Sequence, residues 1–104
     1  MVDGSMVSDA AALVKYQKDS IVSRSLLKKE SGDLTVFAFD KGQALGEHTV
    51  PFEAYIYILE GIGLITVSGK EYSVSQGQSI VLPAGKPHSV RADVRFKMML
   101  FLLR

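Results

Sequence analysis

The chain has 104 residues, 47% of them hydrophobic and 22% charged, with 12 Lys and Arg against 11 Asp and Glu and no cysteine. A formal net charge of +1 with scattered basic residues leaves no cationic footprint for nucleic acid or an anionic membrane surface. The missing thiols exclude disulfides, cysteine nucleophiles and Cys-based zinc or iron-sulfur sites. One soluble domain is expected, because a chain this short buries about two thirds of its unfolded surface and has margin for a single core. No apolar run approaches the ~20 residues of a membrane helix, and the N-terminus lacks a basic start and apolar middle, so a cytoplasmic location is expected.

Residues 1–7 are small and polar and include a second methionine, Met6. They read as a disordered or cloning-derived prefix, with the folded domain spanning 8–104. Ser8, Asp9 and the run Ala10 to Lys15 carry a capping hydroxyl, an acid in the first turn and strong helix formers, which predicts one short N-terminal helix. After Ser20 the texture changes to short apolar and β-branched runs closed by Gly, Asp, Lys or Pro. Strands are predicted over 21–27, 34–39, 54–59, 62–67, 71–74, 79–82, 89–91 and 96–103. So many short strands at close spacing argue for an all-β barrel or sandwich. The turn residues Ser68-Gly69-Lys70-Glu71 predict a tight hairpin and antiparallel neighbours. The last run, Met98 to Leu103, is apolar at both parities, so it is buried on both faces, and a homodimer interface is expected there.

Two histidines, His48 and His88, lie in glycine- and proline-marked segments between strands, where a rigid scaffold commonly presents binding residues. Around His88, residues Gly77, Pro83, Gly85, His88 and Ala92 have the spacing G-x5-P-x-G-x2-H-x3-A. This resembles the second motif of the cupin superfamily, G-x5-P-x-G-x2-H-x3-N, with Ala92 in place of Asn. The first cupin motif, G-x5-H-x-H-x3-E-x6-G, falls without a gap on Gly42, His48, Val50, Ala54 and Gly61, so the second histidine is Val50 and the glutamate is Ala54. The resemblance implies a small single-domain cupin of the conserved-barrel, RmlC-like type: a double-stranded β-helix, or jelly-roll-like, barrel with a degenerate first motif. It also implies a ligand site in the barrel lumen.

In metal-binding cupins three histidines and a glutamate hold a divalent ion such as Fe, Mn, Ni or Zn. Only His48 and His88 carry over, and two imidazoles are fewer ligands than such ions normally take. Glu53 is the nearest candidate for a third, if a bulge at Pro51 turns it inward; His48, His88 and Glu53 would then resemble the two-histidine, one-carboxylate set of non-heme iron oxygenases. Without it, His48, Val50, Ala54 and His88 line a mostly apolar pocket for a small molecule. Three readings follow: a small-molecule-binding cupin, a metal-dependent enzyme of dioxygenase or isomerase type, and a non-catalytic sensing or accessory module. Of the aromatics Phe37, Phe39, Phe52, Tyr55 and Tyr57, the two tyrosines point outward if the lumen takes the even positions of their strand.

Overall fold

The β-branched and aromatic runs after Ser20 pair into one curled antiparallel sheet, a half-barrel. The computed structural model describes residues 5–104. A 3-10 turn at Ala10–Ala12 precedes β1 (Ile21–Lys29), β2 (Gly32–Phe39), β3 (Ala44–His48), β4 (Glu53–Val67), β5 (Lys70–Ser75), β6 (Ser79–Leu82), β7 (His88–Arg91) and β8 (Phe96–Leu103). Neighbours run β1-β2-β8-β4-β7-β3, with β5 and β6 also paired to β4. The predicted hairpin joins β4 to β5, with Val67 opposite Lys70.

Three expectations are revised. The N-terminal helix is only the 3-10 turn; Asp9 flanks it, but its side chain makes no capping hydrogen bond. Leu13, Val14 and Tyr16 instead pack on Val36, Ala38 and Met99 across the outer sheet face, and that burial outweighs the local helix propensity of an alanine run too short to hold itself. Tyr16 donates to Glu60 at 2.6 Å and the buried Lys97 donates to the Ala11 carbonyl at 2.6 Å, fixing this segment in place. The expected prefix falls partly on residues 1–4, outside the described residues, while 5–9 have no regular structure. The predicted strands 54–59 and 62–67 are one continuous strand, and β3 is an addition.

β4 stays continuous because of how it bends. A register shift between Ile58 and Glu60 changes which parity faces inward: Ala54, Ile56 and Ile58 are buried before it, Gly63 and Ile65 after it. At the bend Gly61 has φ +76°, and a Cβ there would run into the Arg95 carbonyl and Phe96. Gly63 is packed under Phe96, whose ring stacks on Phe39 with centroids 4.6 Å apart. The core gathers Phe39, Ile56, Ile58, Ile65, Phe96 and Met98 from both arms of the bent sheet. No helix among the described residues is long and apolar enough to cross a membrane.

A Cβ on Gly63 would lie 2.8 Å from the Phe96 ring, whereas one on Gly46 meets nothing within 4 Å. Gly63→Ala is therefore expected to cost about 2 kcal/mol and to lower Tm by roughly 10 °C. Gly46→Ala should leave Tm nearly unchanged, and thermal unfolding followed by circular dichroism compares the two.

Candidate functional site

Strand parity decides what the concave face presents. On β8 the even residues Met98, Leu100 and Leu102 point inward; on β4 it is Ala54 and Ile56, on β6 Leu82, and on β7 His88 and Val90. With Phe37, Leu45, His48 and Val50 they enclose one cavity of about 310 Å³. Among the described residues, His48 and His88 are its only lining residues with polar side chains. His48, Val50 and Ala54 are thus brought together in one lumen with His88, which is distant in the sequence.

Glu53 is placed elsewhere. It lies opposite Leu103 on the outward face, exposed, one residue from the inward-facing Ala54. The register shift near the histidines occurs before His48, between Leu45 and His48, and not at Pro51. That shift is why Leu45 and His48, three positions apart, both face the lumen. It leaves the parity of β4 unchanged, so Glu53 stays outside. Among the described residues no three His, Asp or Glu side chains form a group able to hold a metal ion. Two imidazoles bounded by Val50 and Ala54 are one donor short of the usual minimum, and this donor set does not fit a resident divalent ion.

His48 and His88 face each other across the β3–β7 pair, with ring centroids 4.3 Å apart and ring planes at 66°. Each Nδ1 lies against a backbone carbonyl two residues back: His48 on Gly46 at 3.1 Å, His88 on Lys86 at 3.3 Å. A carbonyl only accepts, so each Nδ1 is the donor, and in a neutral ring Nε2 is then left as an acceptor. No fully buried side-chain nitrogen or oxygen among the described residues lacks a partner, so the Nε2 of the buried His88 opens on accessible space. The Gly85 amide donates to the Val50 carbonyl at 2.8 Å, tying the loop that carries the Pro83 and Gly85 turn to the β3–β4 loop beside the histidines. The glycines of both motif-like segments, Gly42, Gly61, Gly77 and Gly85, all have φ between +76° and +88°, a region that L side chains rarely adopt.

Of the five aromatics, only Phe37 lines the cavity. Phe39 is core, Phe52 lies beneath the Arg104 guanidinium, and Tyr55 faces outward. Leu45 and the apolar β8 positions escaped the sequence reading. On β8, apolar at both parities, no alternation marked which residues face inward; for Leu45 the register shift hid it.

A family model of the cupin domain matches residues 35–103. A conserved protein of unknown function from Streptococcus pyogenes superposes with a TM-score of 0.93 at 37% identity, over 99% of this chain and 90% of that one. A cupin 2 conserved barrel domain protein from Leptotrichia buccalis gives 0.88 at 40% identity, over 90% of this chain and 46% of that one. A cupin superfamily protein from Desulfitobacterium hafniense gives 0.91 at 22% identity, over 98% and 94% of the two chains, a likeness of fold alone. Among curated proteins there is no match.

Burial pushes the His88 imidazole below its ordinary value of 6.5; the Lys86 carbonyl opposes this and the neighbouring His48 adds to it. Protonation is then harder in the folded than in the unfolded chain. The stability tied to neutral His88 is full above pH 6.5 and is lost as pH falls from there through the lowered folded value. A Tm profile from pH 8 to pH 5 should fall more steeply for the native protein than for His88→Gln, and parallel profiles would contradict this assignment.

Proposed function

This chain belongs to the cupin family, and from that premise we propose that it binds a small, mostly apolar molecule in the lumen, held at one end by His48 and His88. The observation that carries the reading is the pairing of an otherwise apolar cavity wall with two imidazoles as its only polar side chains. A cavity of about 310 Å³ is at the small end of ligand pockets. Two Nε2 acceptors facing apolar walls favour a neutral ligand with a hydrogen-bond donor, such as a phenol or a compact alcohol, over an anion. A neutral imidazole offers a carboxylate no donor at Nε2, and charging the buried His88 works against its burial. Val50 and Ala54 contribute apolar wall where a metal-binding relative would have ligands.

In this reading the residues bind and orient, with His48 and His88 accepting hydrogen bonds from the ligand hydroxyl. No step is routed through a metal ion. The doubly apolar C-terminal strand supports a second element of the proposal, that the chain works as a homodimer.

Thermal unfolding with phenol and cyclohexanol tests the pocket. A probe at 100 times its Kd adds about 2.7 kcal/mol, which raises Tm by roughly 10 °C in a domain of this size. Ala54→Leu, growing into the cavity, should abolish the rise while keeping the unliganded Tm. His48→Phe with His88→Phe should weaken binding of the hydroxyl probes more than that of toluene. A chelator should change nothing; a chelator-sensitive Tm restored by one divalent ion would overturn the metal-free reading.

A further inference from the structure

The outward face of the sheet is covered over one half only. The N-terminal segment packs on Val22, Val36, Ala38, Leu59 and Met99, and nothing among the described residues lies over the other half. There the strand registers place five residues in one cross-strand row: Leu27 on β1, Leu34 on β2, Phe101 on β8, Tyr55 on β4 and Val81 on β6. Directly paired residues share a face, so the row is a continuous apolar band five strands wide. Apart from the half-buried Leu34, its members and the adjacent Leu103 are 43% to 58% exposed. Bands of this kind on a small protein mark interaction surfaces.

The next row along the strands is Lys29, Gly32, Leu103 and Glu53. It carries one charge of each sign at opposite ends, and neither Lys29 nor Glu53 has an ion-pair partner among the described residues. Beside Gly32 lies a notch of about 220 Å³ walled by Leu27, Leu34, Phe101 and Leu103. These features are self-complementary about one axis. A two-fold axis lying against the face, parallel to the strands and between β2 and β8, sets Lys29 against Glu53, Leu27 against Tyr55 and Leu34 against Phe101. The same axis puts Leu103 over the Gly32 notch. An in-plane axis perpendicular to the strands lays each strand over its own copy, so Lys29 on β1 would not meet Glu53 on β4.

We propose that a second copy of this chain packs on the Leu27–Leu34–Phe101–Tyr55 row about that axis, with reciprocal Lys29–Glu53 ion pairs closing both ends. The inference rests on the homodimer reading and specifies its face. It is an isologous contact of two aligned sheets. With four strands matched over two free rows the contact lies at the lower limit for a stable interface, so the dimer should dissociate in the micromolar range.

Sedimentation velocity from about 5 to about 200 µM, with circular dichroism as a fold control, tests both levels. The native chain should pass from monomer to dimer. Phe101→Glu should abolish the dimer. Lys29→Glu and Glu53→Lys should each raise the dimer Kd about tenfold, since each faces like charges, and the double exchange should restore it. A monomer throughout would overturn the homodimer reading and the face together. A dimer indifferent to Phe101→Glu, or not rescued by the charge exchange, would leave the homodimer standing and overturn this face.

Discussion

One strand bears on everything else: β4, fifteen residues long, pairs with β5, β6, β7 and β8. A strand that serves two arms of a curled sheet must bend, and here the bend exchanges its inward parity, so that Gly63 and Ile65 rather than Ile62 and Leu64 face the core. Gly61 supplies the bend and the shift at Ile58/Glu60 supplies the exchange. Before the bend β4 gives the lumen Ala54 and Ile56; after it, Ile65 enters the core. The cavity exists because the inward positions of the first arm include a residue as small as alanine.

The histidine pair depends on this frame from the other side. β7 pairs with the second half of β4, Val67 lying opposite His88, and β3 pairs with β7, so His48 reaches His88 through two registers anchored on β4. Each ring is oriented by a backbone carbonyl of its own loop. Orientation through Nδ1 is also what metal-ligating histidines commonly use. What separates this site from a metal centre is the walls: Val50 and Ala54 offer carbon where further donors would be required. The low dielectric around His88 then favours the neutral ring and a neutral ligand.

Much of this was legible in the sequence, and the parts that were not share a cause. Strands such as Phe96–Leu103 and Ser79–Leu82 stood out because apolar, β-branched and aromatic residues fit a pleated, half-buried surface. β3 was invisible because Ala44, Gly46, Glu47 and His48 lack that composition; tertiary pairing with β7 holds it extended. Gly61 read as a turn, yet the same positive φ here bends a strand without ending it. The alanine run read as a helix, yet Leu13 and Val14 gain more by covering Val36 and Ala38. At the site, spacing located His48, His88, Val50 and Ala54, while Leu45 and the placement of Glu53 depended on where one register shift fell. Such irregularities are set by long-range packing and have no fixed residue signature.

Binding of a hydroxyl ligand in the lumen requires that His48 and His88 carry the proton on Nδ1 and present Nε2 as an acceptor. Long-range nitrogen–proton NMR correlation of the imidazoles at pH 7.5 tests it most directly, because the two ring nitrogens report their protonation separately. The account predicts a protonated Nδ1 and an unprotonated Nε2 for both rings, unchanged by a chelator and shifted at Nε2 when phenol is added. Nε2-protonated rings, or Nε2 signals that move on chelation, would contradict it.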